Sequence, residues 1–280
     1  MSGYTTAPNK RIEAATGTTF AYRETGSGEV PLVLFQHFRG NLDNWDPVLV
    51  DALAERRRVI AFDNTGVGGS SGETPHTIAA MAADAITFVE ALELDRIDLL
   101  GFSIGSFVSQ GVTLARPDLV RRLVLASSAP QGAAGMHGWA PDVIEKVGRR
   151  EGSPEGYLAV FYAGTATSQE AGRESAQRIF GARSADRDAA TTWQTRQAQY
   201  DAVCSWGVPN HALLEGVSAI RCPVFIANGD SDQMILPHYS HLLAGLIPQA
   251  TVKIYPDAAH GFLFQHAARF AADVEAFLGA

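Results

Sequence analysis

Ile97-Asp98-Leu99-Leu100-Gly101-Phe102-Ser103-Ile104-Gly105-Ser106-Phe107-Val108-Ser109-Gln110-Gly111-Val112-Thr113-Leu114-Ala115 is the stretch from which the rest of the chain can be ordered. A short run of strand formers ends at Gly101, a lone serine follows, and helical spacing begins at once. Gly101-Phe102-Ser103-Ile104-Gly105 is therefore a Gly-x-Ser-x-Gly pattern set between a strand and a helix, the context of a nucleophile elbow. Glycine two residues before and after the serine has a steric reason, because a sharp strand-to-helix reversal brings backbones too close for a Cβ. The serine is then held in a costly backbone conformation that lifts its hydroxyl into a cleft. A second match, Gly68-Gly69-Ser70-Ser71-Gly72, lacks both flanks. No apolar strand precedes it, and Glu73-Thr74-Pro75 follows in place of a helix. Nor is the Asp63 to Ser70 stretch a dinucleotide loop, since it lacks the third glycine and the immediate helix.

Outward from Ser103 the same alternation recurs. Leu32-Val33-Leu34-Phe35 and Arg58-Val59-Ile60-Ala61-Phe62 are continuous apolar runs, as expected for strands buried on both faces. Val48 to Arg56 reads as a short helix. Thr77 to Leu92 carries helical spacing, with Ile78, Met81, Ala82, Ala85, Phe88, Val89 and Leu92 on one face. Arg11 to Glu24 reads as two short strands joined at Gly17-Thr18. Arg122 to Ala126 is a further strand, after which the rhythm stops at Pro130. It resumes with a strand at Pro223 to Ala227, a helix from His238 to Leu246, a strand from Thr251 to Tyr255 and a helix from Leu263 to Leu278. Strands alternating with helices predict an α/β fold, a mostly parallel sheet with right-handed crossovers and helices on both faces. Between these parts, helical segments are expected at Pro141–Val147, Pro154–Tyr162, Gln169–Ile179 and Asp186–Ala202, with no buried strand. The expected organisation is a core of residues 1–130 and 217–280 interrupted by a helical insertion at 131–216.

A formal charge of -8 argues against nucleic acid or an anionic membrane surface as a partner. No apolar run approaches the ~20 residues of a membrane span, and Met1 to Lys10 is polar, unlike a secretory signal. The two cysteines, Cys204 and Cys222, are too few for a disulfide framework and read as reduced, packed thiols. The expectation is a cytoplasmic protein acting on a small molecule, with no metal and no cofactor. Composition leaves the oligomeric state open, a homodimer being one option.

A serine nucleophile needs a base, and the base an orienting acid. In open parallel sheets functional groups gather beyond the carboxyl ends of strands, which selects where to look. Asn228-Gly229-Asp230-Ser231-Asp232 follows the strand at Val224, and Pro256-Asp257-Ala258-Ala259-His260-Gly261-Phe262 follows the strand at Thr251. An acid and then a histidine thus occupy successive strand ends, with Asp230 and Asp232 both available. His238, His241 and His266 fall on predicted helices as surface positions. His238 and His241 are three residues apart but lack the further ligands a metal site needs.

Together these features resemble the α/β-hydrolase superfamily over nearly the whole chain. The resemblance rests on the elbow, the His37 loop after the third strand, the Asp63 to Ser70 turn, Gly229 to Asp232, and His260-Gly261-Phe262. It implies the α/β-hydrolase fold with an inserted helical lid and a triad of Ser103, Asp232 and His260, favouring Asp232 over Asp230. Some members place the acid after the sixth strand, where Ser127-Ser128-Ala129-Pro130 offers no carboxylate. The resemblance also implies an oxyanion hole built from the Ile104 N–H and a second N–H in the His37 loop. Members usually carry His-Gly there, and the next residue donates. Matching His37 and Trp45 to that pattern sets Phe38 in the glycine place, a departure, and Arg39 in the donor place. The Arg39 side chain then either lies in water or reaches a substrate carboxylate or carbonyl.

The insertion is expected to cover Ser103, with its aromatic residues Trp139, Tyr157, Phe161, Tyr162, Phe180, Trp193, Tyr200 and Trp206 as pocket walls. Phe38, Trp139, Phe161, Tyr162 and Trp206 are the candidate substrate-binding residues, and Gly132, Gly135 and Gly138 would let the lid open. The activity implied is that of a serine esterase or lactonase acting on a small to medium apolar ester through an acyl-enzyme on Ser103. Cofactor-free perhydrolysis of the haloperoxidase kind and C–C bond hydrolysis share that triad and stay open. Dehalogenase and epoxide-hydrolase chemistry use an aspartate at the elbow and do not fit Ser103. The alternative outside enzymes is a small-ligand receptor on the same fold, which has no need of all three triad members.

Overall fold

The computed structural model describes residues 3–150, 152–181 and 186–279. Its strands are β1 (Lys10–Glu13), β2 (Thr19–Thr25), β3 (Leu32–Phe35), β4 (Val59–Phe62), β5 (Ile97–Phe102), β6 (Val120–Ala126), β7 (Val224–Gly229) and β8 (Ala250–Tyr255). They form one sheet in the order β1-β2-β4-β3-β5-β6-β7-β8. The β1–β2 and β2–β4 pairs are antiparallel, and every other neighbouring pair is parallel. Every residue of β3, β4 and β5 is buried. Strands covered on both faces have no solvent side to mark with polar residues, so their sequences run apolar without alternation, except at Asp98 of β5, whose buried carboxylate is paired with Arg121 and Arg57.

The helices are α1 (Pro47–Ala54), α2 (Ile78–Ala91), α3 (Ile104–Ala115), α4 (Pro141–Val147), α5 (Pro154–Phe161), α6 (Ala166–Gly181), α7 (Trp193–Trp206), α8 (His211–Gly216), α9 (His238–Leu246), α10 (Phe262–Gln265) and α11 (Ala267–Gly279). In the core, α1 packs against α11 and α2 against α3. None of the described helices is long and apolar enough to cross a membrane.

The larger departures from the sequence expectation each have a local reason. The last helix breaks at His266, whose backbone leaves the helical region and whose ring stacks on Tyr255 at 5.6 Å. Helix α7 starts at Trp193 instead of Asp186, because the preceding segment is drawn onto the core. There the Asp188 N–H donates to Asp43 Oδ2 at 2.7 Å and Thr191 Oγ1 donates to the Arg39 carbonyl at 2.6 Å. Thr192 then caps α7 by accepting the Thr195 N–H. Helix α8 was not expected, since none of its residues is buried and it carries no apolar stripe to read.

Helices α4 to α8 lie between β6 and β7 and add no strand to the sheet among the described residues. Where this segment leaves and rejoins the core, Gly132 donates to the Trp206 carbonyl at 2.9 Å and accepts from Asn210 at 3.0 Å. Farther out, Asp46 joins α6 to the core. This fully buried carboxylate caps α1 through the Val48 N–H at 3.0 Å. It also accepts Ser175 Oγ at 2.9 Å and Arg178 Nη2 at 2.8 Å. One side chain thus ends a core helix and anchors a helix of the insertion. Asp46→Ala is expected to lower unfolding free energy by about 2–3 kcal/mol, from a lost cap and an unpaired Arg178, read as an earlier urea midpoint.

Candidate active site

Ser103 sits between β5 and α3 with φ 57° and ψ −124°, outside the regions a side-chain-bearing residue ordinarily occupies. Space explains the two glycines. A Cβ on Gly101 would lie 2.4 Å from both the Gly105 carbonyl oxygen and Ser109 Oγ, and one on Gly105 would lie 2.2 Å from the Phe35 carbonyl oxygen. From behind, Ser106 Oγ bridges the Ser103 carbonyl at 2.5 Å and Ser128 Oγ at 2.7 Å, and Gln110 Nε2 donates to Ser128 Oγ at 3.0 Å. The strain at Ser103 is held by packed and hydrogen-bonded neighbours.

The strand ends bring the predicted partners together. Ser103 Oγ lies 2.9 Å from His260 Nε2, and His260 Nδ1 lies 2.8 Å from Asp232 Oδ2. All three side chains are buried. The other oxygen of Asp232 accepts the N–H groups of Met234 at 2.8 Å and Ile235 at 3.0 Å, so both oxygens of this carboxylate are engaged. Asp230 faces the other way and ties the β8 turn by accepting the Asp257 N–H at 3.0 Å and the Ala258 N–H at 3.3 Å. The His260 ring is flanked by Phe102 and by Phe161 of α5, and the Gly261 N–H donates to the Phe161 carbonyl at 2.7 Å. His260 is therefore seated partly by the insertion. The serine of the second Gly-x-Ser-x-Gly match, Ser70, donates to the Asp63 carbonyl at 2.7 Å and accepts the Ala21 N–H at 2.9 Å, as a turn residue.

The loop after β3 behaves less simply. Ile104 is the first residue of α3, so its N–H has no intrahelical acceptor and sits at the positive end of the helix dipole. Arg39, the other candidate donor, has φ 63°, and its N–H donates to Gln199 Oε1 on α7 at 2.7 Å. In this arrangement the Arg39 N–H is not open to a ligand, and an oxyanion could use it only by displacing Gln199. The Arg39 side chain is not simply solvated. Its guanidinium lies on the cavity wall and donates to the carbonyls of Arg149 at 2.9 Å and Arg150 at 3.1 Å. The Phe38 ring packs edge-on against Trp139 with centroids 4.8 Å apart. His37 Nδ1 lies 2.8 Å from the Phe38 carbonyl and serves as its donor, while burial, and then the neighbouring His260, push the His37 pKa down to about 4.

Ser103 and His260 open into a cavity of about 690 Å³, within the range of small-molecule sites. Of the predicted lining residues, Phe38 and Phe161 do line it; Trp139, Tyr162 and Trp206 do not. Each of the three is consumed by packing. Trp139 lies between Phe38 and Tyr200. The ring of Tyr162 is buried against Gly172. Trp206 stacks on Phe107 at 5.2 Å while its Nε1 donates to the Ala129 carbonyl. Tyr157 and Phe180, two further aromatic residues of the insertion expected in the walls, line the cavity, and Leu158, Ile179 and Met234 complete its apolar side. Sequence reasoning also missed Gln199 and Arg196, buried polar residues on the inward side of α7. The one available signal was their helical spacing with Ala198, Ala202, Val203 and Trp206.

Residues 30–267 match the model of the alpha/beta hydrolase fold family. A solved structure described as an alpha/beta hydrolase fold protein from Chitinophaga pinensis superimposes with a TM-score of 0.93 at 38% identity, covering 100% of both chains. A non-heme chloroperoxidase of Streptomyces lividans is 26% identical over 95% of this chain and 98% of its own length. A carbamate hydrolase homologue of Rhizobium rhizogenes is 32% identical, but the matched region spans 35% of this chain and 37% of that protein.

The depressed His37 pKa makes a prediction about stability. A histidine that is harder to protonate folded than unfolded favours the folded state above the unfolded pKa, and that contribution is lost as pH falls. The window runs from the ordinary value of 6.5 down to about 4. His37→Gln is expected to lose about 2–3 kcal/mol less unfolding free energy than the wild type between about pH 7 and pH 4.5. Parallel urea titrations at each pH read the difference; identical pH slopes would contradict it.

Proposed function

The chain belongs to the α/β-hydrolase fold family, and on that premise we propose that it is a serine hydrolase cleaving a small to medium apolar ester or lactone through an acyl-enzyme on Ser103. The observation that carries this reading is the aligned pair of contacts, 2.9 Å from Ser103 Oγ to His260 Nε2 and 2.8 Å from His260 Nδ1 to Asp232 Oδ2. A receptor on the same fold has no use for a buried base aimed at a strained serine.

In the proposed cycle Ser103 Oγ attacks the substrate carbonyl carbon while His260 Nε2 takes its proton. Asp232 accepts the Nδ1–H bond and stabilises the imidazolium that forms. The negative charge that develops on the carbonyl oxygen is met by the Ile104 N–H at the start of α3. Collapse of the tetrahedral intermediate expels the alkoxide, which takes the proton from His260. A water then loses a proton to His260 Nε2 and attacks the acyl carbon, releasing the acid and restoring Ser103 Oγ–H. Residues 131–216 act as the lid in this reading, since Phe161 of α5 both lines the cavity and packs on His260.

A second reading uses the same groups with hydrogen peroxide in place of water, yielding a peracid. It is supported by the full-length likeness to the non-heme chloroperoxidase. Peracid formation from a simple carboxylic acid and peroxide, compared with ester hydrolysis under the same conditions, separates the two.

Treatment with a fluorophosphonate is expected to add one adduct mass to the wild type and none to Ser103→Ala. Asp232→Asn is expected to retain the fold while kcat on p-nitrophenyl esters falls about 10⁴-fold, because the imidazole loses its orienting acceptor. Labelling that persists in Ser103→Ala would overturn the assignment of the nucleophile.

A further inference from the structure

The charge on the cavity wall runs against the charge of the chain. The protein carries 30 acidic and 22 basic residues. Among the described residues, however, the cavity that opens on Ser103 is lined by four cations, Arg39, Lys146, Arg173 and Arg187, and one carboxylate, Asp188. Asp188 is set against Asp63 at the end of β4, and burial together with that neighbour raises the Asp63 pKa. Lys146 and Arg173 have acids of their own nearby, Asp142 and Glu170.

Arg39 differs from these. Among the described residues no carboxylate comes within ion-pairing distance of it, and its two terminal nitrogens donate to main-chain carbonyls that hold the guanidinium in place. Behind it lies a second guanidinium, Arg196, which likewise has no carboxylate within ion-pairing distance among the described residues, the nearest acidic influence being Asp201. Arg196 is buried among aromatic rings, 5.7 Å from the centroid of Phe38, 4.8 Å from Trp193 and 4.7 Å from Tyr200. Its Nε has no hydrogen-bond partner among the described residues. Burial and the repulsion between the two guanidiniums each lower Arg39's affinity for its proton. Two partly desolvated cations side by side, one of them fixed on a cavity wall, create a positive potential that an entering anion relieves. A guanidinium fork matches a carboxylate in both shape and charge.

We propose that the substrate carries a carboxylate at the end remote from the scissile carbonyl, and that Arg39 binds it, with Arg196 reinforcing the field from behind. The apolar body of such a substrate lies along Tyr157, Leu158, Ile179 and Phe180, between the anionic end and Ser103. The substrate class is thus an ester or lactone of an acid bearing a second carboxyl group. This inference rests on Ser103 as the nucleophile.

The test pairs p-nitrophenyl monoesters of succinate, glutarate and adipate with their neutral methyl-capped counterparts. The wild type is expected to favour at least one free-acid monoester over its capped form by about tenfold in kcat/KM, through KM, with the preference shrinking as salt is raised. In Arg39→Met that ratio should fall toward one, and in Arg39→Lys it should be partly kept. Since both variants leave the main-chain N–H in place, the ratio reports the side chain. A second arm titrates adipate and adipamide into Ser103→Ala, where tighter binding of the dianion is expected and Arg39→Met in that background should remove the difference. If Arg39→Met does not fold, the wild-type ratio, its salt dependence and the Ser103→Ala titration decide alone. No preference for the free acids, or a ratio untouched in Arg39→Met, would overturn the carboxylate site. Failure of the Ser103 reading looks different: no ester of either kind is cleaved and no fluorophosphonate adduct forms, while adipate still binds.

Discussion

The approach of α3 to the end of β3 is the constraint on which the site depends. Gly105 stands so near the Phe35 carbonyl that no side chain fits between them. This contact allows β5 to turn directly into α3 and forces Ser103 to a positive φ at the summit of the turn. It also places the first amide of α3 beside the loop that follows β3. Ser103, the helix dipole and the neighbouring loop therefore owe their common position to one close contact. The hydroxyls of Ser106, Ser109 and Ser128 and the amide of Gln110 then fix the turn from behind, with hydrogen bonds in place of bulk. A small polar ladder under a strained residue keeps the strain from relaxing, which apolar packing with fewer directional contacts would do less well.

The parts of this architecture that were legible in the sequence are those where chemistry leaves few options. Strands covered on both faces are largely apolar, so β3 and β4 could be read nearly to the residue, whereas β5 carries a buried Asp98 that is paired with Arg121 and Arg57. Strand ends in a parallel sheet gather polar groups, so the Asp230–Asp232 segment and His260 stand out in the sequence itself. Choosing Asp232 over Asp230 needed the resemblance, because two carboxylates two residues apart differ only in direction. The structure separates them by what each accepts: amides of the β8 turn for Asp230, the imidazole for Asp232.

The insertion was legible as helices but not as a pocket. An aromatic residue in a helix announces that it will be buried, without saying which side buries it. Trp139, Tyr162 and Trp206 met protein on every side, whereas Tyr157, Phe161 and Phe180, from the same composition, met the cavity. Periodicity fails in a further way at α7, whose inward positions include Arg196 and Gln199. A scan for apolar spacing passes over such residues because it takes polar side chains to be solvated. Here one guanidinium is buried on aromatic rings, and one amide reaches a main-chain N–H of the core.

That amide bears on how an oxyanion hole can be built with phenylalanine where glycine is usual. A main-chain N–H placed to receive an oxyanion is buried, and a buried N–H without a partner is costly. Gln199 Oε1 meets that requirement at Arg39 with a neutral acceptor. An alkoxide-like oxygen accepts more strongly than an amide carbonyl, because its hydrogen bonds are charge-assisted, so exchange would favour the transition state over the ground state. The same helix carries Arg196, whose guanidinium lies over the Phe38 ring. Phe38 and Arg39 are thus each held by a side chain of α7, one turn apart. The loop that departs from the usual pattern is shaped as much by the insertion as by the strand it follows.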